Sequence, residues 1–266
     1  RNKISLHYHN LLFCFDYILQ LKNKQQRKMK NTVLHKADTR GHADHGWLNA
    51  YHSFSFASWY NPERVQFGTL RVLNDDTVAA GMGFGEHGHD NMEIITIPLE
   101  GDLAHKDSMG NAETIKTGDV QVMSAGTGIR HSEFNPNKDK RTKLFQIWLF
   151  PRTKNVTPRY QQITLDVSEQ KNNFAQILSP NADDAGVWIH QDAWFHLADF
   201  DAGFEKTYEL KREGNGMYVF VISGKITVDG QELETRDGLG IIDFKTLDIK
   251  ASSDAKFLLM EIPMEQ

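Results

Sequence analysis

From Met29 onward the apolar residues fall into short runs rich in β-branched and aromatic side chains, each cut off by Gly, Asp or Asn. Gln66–Leu73 (QFGTLRVL), Glu93–Leu99 (EIITIPL), Asp119–Met123 (DVQVM) and Leu144–Phe150 (LFQIWLF) are of this kind. So are Met217–Ile222 (MYVFVI), Lys225–Val228 (KITV) and Lys256–Ile262 (KFLLMEI). Such runs between turn-forming residues predict strands. Few stretches sustain a helical period, so helices are expected to be few and short. Many short strands at this spacing predict an all-β protein of the sandwich or barrel type.

Two parts of the chain repeat one plan. Glu93–Gly101 (EIITIPLEG) leads through a polar strand to Gly118-Asp119 and a further strand. Tyr218–Gly224 (YVFVISG) leads through KITVDG to Asp237-Gly238 and LGIID. Strand, glycine turn, strand, glycine turn, strand, written twice, predicts two copies of a small barrel. The polar stretch Pro151–Asp192 is the natural crossover, which places one domain at 29–155 and a second at 156–266.

Residues 1–28 break the pattern. Leu11–Leu21 (LLFCFDYILQL) is apolar but interrupted by Asp16 and too short to span a bilayer. A basic polar stretch, NKQQRK, follows it where a leader peptide would carry a small-residue cleavage site. The segment is therefore expected to be a non-native or disordered extension, upstream sequence read into the frame with translation starting at Met29. An amphipathic anchor helix or a cleaved leader is the alternative. Arg1, Lys3, Lys22, Lys24, Arg27 and Lys28 stand against Asp16 alone there, so the rest of the chain is more acidic than the overall net charge of −5. An acidic body repels phosphate backbones, which argues against direct nucleic-acid binding. Cys14 is the only cysteine, so no intramolecular disulfide and no cysteine-based zinc site can form. That usage fits a cytoplasmic protein.

The candidate chemistry lies in the first copy. His87-Gly88-His89 and, 44 residues later, His131-Ser132-Glu133 each put two ligating side chains on one face of a strand. Three imidazoles and a carboxylate suit a single divalent transition ion, Fe, Mn, Co, Ni, Cu or Zn, with positions left open for other ligands. His35, His42, His45, His52, His105, His190 and His196 lack paired spacing and are expected to be hydrogen-bonding or surface residues. His52 opens an aromatic stretch in which Phe54, Phe56, Trp59 and Tyr60 either wall a flat apolar substrate or pack into a core.

These residues resemble the pirin family of bicupins. The resemblance is carried by RGHADHGWL (Arg40–Leu48), HSFSFASWYNP (His52–Pro62), GFGEHGH (Gly83–His89), HKDSMG (His105–Gly110) and GDVQVMSAGTGIRHSEFNP (Gly118–Pro136). It implies two tandem cupin (jelly-roll-like) β-barrels with few short helices. It also implies one metal ion, iron first, held by His87, His89, His131 and Glu133. The activity implied is that of a quercetin 2,3-dioxygenase, with a flavonol and dioxygen as substrates, carbon monoxide as a product and Glu133 as catalytic base. The same resemblance allows a redox-sensitive regulatory protein acting through a protein partner, and the ligand set also serves hydrolytic and isomerising cupins. Two departures stand out. Gly88 replaces the family's usual proline, predicting a softer ligand segment, and the wider cupin pattern would use Glu93 as fourth ligand in place of Glu133. The second copy has no HxH or HxE, with Ile241-Ile242-Asp243 at the analogous place, and is expected to be metal-free.

Overall fold

The computed structural model describes residues 31–265, so the expected extension at 1–28 lies outside the described residues. The chain opens with β1 (Thr32–His35), β2 (Gly41–Asp44), β3 (Leu48–His52), β4 (Leu70–Val78) and β5 (Gly83–His89). Next come β6 (Glu93–Glu100), β7 (Asp102–Asp107), β8 (Ala112–Lys116) and β9 (Asp119–Ser124). The first half closes with β10 (Ile129–Phe134), β11 (Thr142–Leu149) and β12 (Arg159–Thr164). The second half begins with β13 (Ala175–Ser179), β14 (Val187–Trp188), β15 (Trp194–Phe200), β16 (Glu205–Glu209) and β17 (Asn215–Ser223). It ends with β18 (Lys225–Val228), β19 (Gln231–Glu234), β20 (Gly238–Ile241), β21 (Thr246–Ala251) and β22 (Ala255–Pro263). Among the described residues the helical content is two 3-10 turns, Ala37–Thr39 and Val167–Gln170. The protein is all-β and built from two cupin-type barrels.

Each barrel pairs a seven-stranded sheet with a four-stranded one. In the first, β12-β9-β6-β11-β4-β3-β2 is backed by β5-β10-β7-β8; in the second, β1-β20-β17-β22-β15-β13-β14 is backed by β16-β21-β18-β19. Strand β12, from beyond residue 155, pairs with β9, while β1, from the start of the chain, joins the second barrel beside β20. Each barrel thus takes its edge strand from the other side of the sequence division.

The two large sheets share one core. Ile95, Ile97, Phe145, Ile147, Val120 and Val122 of the first meet Phe195, Tyr218, Phe220, Leu258, Met260 and Ile262 of the second. The other face of each large sheet turns into its own barrel. This explains why β6 and β17 read as nearly continuous apolar runs rather than as clean alternation: they are covered on both faces.

The interiors differ in kind. That of the second barrel includes Phe257, Leu259, Val219 and Leu247, all fully buried, and one imidazole, His196, set edge-on to Tyr208. Burial, helped by Lys211, lowers the His196 pKa to about 3. The unfolded imidazole takes up its proton near pH 6.5, whereas the folded one resists, so its contribution is complete above that pH and is lost as pH falls toward 3. Between pH 6.5 and 5 this single group is expected to remove about 2 kcal/mol of stability. Urea unfolding at pH 7 and pH 5 checks this: in His196→Leu the acid loss should shrink by about that amount. An identical loss in both proteins would assign it elsewhere.

Candidate metal centre

The first barrel's interior gathers many polar groups, whereas the second's has few, chiefly His196 and Glu261, the latter accepting from Tyr208 and Asn215. Facing β5 and β10, the large sheet presents Asn74 and Asp76 from β4, Thr96 from β6, Gln121 from β9 and Gln146 from β11, all buried. Register explains the grouping, since Asn74 pairs with Gln146, Gln146 with Thr96, and Thr96 with Gln121.

Against this surface β5 and β10 bring the paired histidine motifs together. His131 lies directly opposite His87, and two-residue periodicity puts His89 on the same face. The His87 and His131 rings are 4.4 Å apart, His89 and His131 5.0 Å, and His87 and His89 4.9 Å. One nitrogen from each falls within 4.8 Å of the others, close enough for one ion to bridge. His87 Nδ1 is 2.8 Å from the Gly85 carbonyl; as donor there it leaves Nε2 free to ligate. His89 Nε2 and both nitrogens of His131 are buried with no protein partner. Buried imidazole nitrogens rarely go unpartnered, so the donor set fits a metal ion.

Electrostatics agree. Burial, then repulsion from the neighbouring rings, lowers His131 to about pKa 3; burial and His87 lower His89 to about 4. Both are neutral at ordinary pH, the form that ligates.

Glu133 is 1% exposed and sits beside His131. A bulge between His131 and Glu133 places Glu133 opposite Phe84 rather than Gly85. Gly83 makes the close approach possible: a Cβ there would lie 2.2 Å from the Glu133 carbonyl oxygen. The result is two overlapping donor groups. His87, His89 and His131 form one; His105, His131 and Glu133 form the other, with His131 common to both. Burial raises the Glu133 pKa to about 7, opposed by Gln146 Nε2, which donates to Glu133 Oε2 at 2.5 Å.

His105 is the residue sequence reasoning undervalued. It faces Glu133 across the β7–β10 pairing, its Nε2 is 3.1 Å from Asp107 Oδ2, and its Nδ1 has no partner. The available signal was that it opens the HKDSMG motif, two residues before Asp107, but spacing alone does not reveal that it faces Glu133.

Glu93 points the other way. It is buried, accepts from Ser124 Oγ at 2.6 Å, and burial raises its pKa to about 7 against the pull of Ser124, the His190 backbone and Arg159. Alternation on β6 sends Ile94 into the barrel beside Met123 and Trp148, and Glu93 to the opposite face. Gly88 lies mid-strand, paired with Arg130, with only ordinary contacts awaiting a Cβ. The expected soft ligand segment is a paired strand.

A cavity of about 410 Å³ adjoins His87 and Glu133. Trp47, Phe56, Phe84 and Trp148 supply aromatic surface, and His52, Asn74, Asp76, Gln146, His87 and Glu133 supply polar groups. Of the four aromatics read as either substrate wall or core, only Phe56 lines it. Phe54 packs in the shared core against Tyr218, Trp59 covers Gly41, and Tyr60 is 71% exposed. Trp148 stands edge-on to His89 with ring centres 4.9 Å apart. Asp76, 3% exposed, has its pKa raised to about 8 by burial, with Asp75 and Glu133 adding repulsion.

Among the described residues, no helix is long and apolar enough to cross a membrane. Residues 33–149 match the family model described as Pirin, and 176–262 the one described as Quercetinase C-terminal cupin domain. The chain is 44% identical to a quercetin 2,3-dioxygenase of Escherichia coli (strain K12), over 86% of this chain and 98% of that protein. It is 41% identical to a pirin-like protein of Caulobacter vibrioides, over 84% of this chain and 96% of the relative. Among solved structures it resembles the bacterial pirin YhhW of Escherichia coli in complex with nickel(II). The TM-score is 0.83 at 42% identity, covering 87% of this chain and 99% of that one.

Proposed function

The chain belongs to the pirin family, and from that premise we propose that it is a metal-dependent dioxygenase opening the heterocyclic ring of flavonols such as quercetin. The observation that carries this reading is the cavity: an aromatic-walled space of about 410 Å³, within the usual range for small-molecule sites, lined by His87 of the three-histidine group and by the buried carboxyl of Glu133. The relatives' names support a dioxygenase-like enzyme, and flavonol specificity is our extension of them to this chain.

In this proposal His87, His89 and His131 hold one divalent ion, iron first, with Glu133 as fourth ligand, and the second barrel holds none. The bound metal would supply Lewis-acid activation of an enolic oxygen and electronic access to dioxygen. The protein's own part is to bind, orient and move a proton. Trp47, Phe56, Phe84 and Trp148 pack on the planar rings and exclude water. Glu133, held by Gln146 and raised toward neutrality by burial, accepts the proton of the flavonol 3-hydroxyl. Both atoms of dioxygen enter the product and one ring carbon leaves as carbon monoxide. The site of action in this reading is the cytoplasm.

Oxygen uptake and carbon monoxide release with quercetin test the proposal, on protein prepared without chelator or nickel affinity and with its metal content measured. One carbon monoxide per dioxygen is expected, and flavones lacking the 3-hydroxyl should be inert. Fully metallated protein that consumes no oxygen with any flavonol would hand the family's other role, metal-dependent binding of a protein partner, the better claim.

A further inference from the structure

The cavity wall made by β3 and β4 carries a polar group that the proton transfer above leaves unused. Asn74 and Asp76 are two apart on β4, face the same side, and both line the cavity. Asn74 Oδ1 is 2.9 Å from His52 Nδ1, and Gln146 donates to Glu133, so those groups are satisfied. Asp76 lacks any such arrangement. Its cross-strand neighbours are Ala50 on β3 and Leu144 on β11, neither with a side-chain donor. The residue is 3% exposed, and no protein group bonds to Oδ1. Folded proteins pair almost all buried polar atoms, and a carboxyl left over at a cavity wall is placed to meet a ligand.

We propose that Asp76 is a specificity-determining residue that accepts a hydrogen bond from a ring hydroxyl of the planar ligand, so that the site selects polyhydroxylated aromatics over bare ones. A carboxyl oxygen accepts from a phenolic O–H in either protonation state, so the recognition does not depend on which is present. Glu133 and Asp76 line the same cavity, and one planar molecule can therefore meet both. The inference rests on the reading of this cavity as a flavonol site, and it adds which substituents the site reads.

The test compares quercetin with 3-hydroxyflavone, which keeps the reacting ring and lacks the other hydroxyls, on metal-loaded full-length protein. Wild type should favour quercetin in kcat/KM, and in Asp76→Leu the ratio should fall by roughly 10–100-fold, the cost of leaving the buried ring hydroxyl without an acceptor. Asp76→Leu should also unfold at the same or a higher temperature than wild type, because an apolar side chain of similar size replaces an unpaired polar one. A merely structural Asp76 would give the opposite shift. Asp76→Asn, which keeps an acceptor, should lower the ratio less, and it decides the matter should the leucine variant not fold. A ratio unchanged in a folded variant overturns the proposal. Should wild type turn over neither compound, the oxygenase reading fails by itself. The preference is then measured as a ratio of equilibrium Kd values, followed by quenching of Trp47 and Trp148 fluorescence. A fall of that ratio in Asp76→Leu supports the role of Asp76, and an unchanged ratio overturns it.

Discussion

Substituting His131 by Ala is expected to strip the metal from the protein. This imidazole is common to both donor groups, is 2% exposed, and has neither nitrogen bonded to protein. Altering a residue that merely supports a ligand costs about 10–100-fold in metal affinity, and removing a ligand should cost more. His87→Ala and His89→Ala should behave alike, since each removes a member of the three-histidine group. His105→Ala leaves that group whole and should retain the ion, as should His190→Ala. Metal content after dialysis, together with the thermal shift that added metal produces, gives the measurement. If the His87 and His89 variants keep the ion while His105→Ala loses it, the ion sits in the inner group of His105, His131 and Glu133. Full retention in His131→Ala would remove both.

Glu133→Gln is expected to separate binding from chemistry. The amide preserves shape and a ligating oxygen, so much of the metal should remain on the three histidines. What disappears is the capacity to take a proton. Loss of a general base typically lowers turnover by about 10²–10⁴-fold, and that is the fall expected in kcat with quercetin. Gln146, which now donates to Glu133 Oε2, can still donate to the amide oxygen, so the strand need not rearrange. Single-turnover kinetics on variants matched for metal content make the comparison. Turnover at the wild-type rate would exclude Glu133 as base and leave the oxygenase reading without its proton acceptor.

Much of this was legible in the sequence because it depends on local periodicity. Two-residue alternation is a property of any strand, so HxH and HxE each had to place two donors on one face. The short apolar runs, the glycine turns and the repeated plan likewise follow from local preference, and they determined an all-β, two-barrel protein. What alternation cannot say is which face meets which partner. Glu93 and Glu133 are equally acidic in sequence. Only the tertiary structure turns Glu93 toward Ser124 and Arg159 and Glu133 toward His131, because one lies on the large sheet's outward side and the other beside a bulge in the small sheet.

The aromatic wall was decided the same way. The run from Phe54 to Tyr60 is contiguous in sequence, yet its side chains divide among core, glycine cover, cavity and solvent. The cavity instead draws Trp47, Phe84 and Trp148 from segments far apart in the chain, which only strand pairing brings together. His105 and Asp76 belong to this class too. Neither belongs to the paired HxH and HxE motifs, and each acquires meaning from its cross-strand neighbours: Glu133 for His105, Ala50 and Leu144 for Asp76. Local sequence determines which residues share a face. Long-range register determines what that face encloses, and register is fixed by the packing of whole sheets rather than by any one segment.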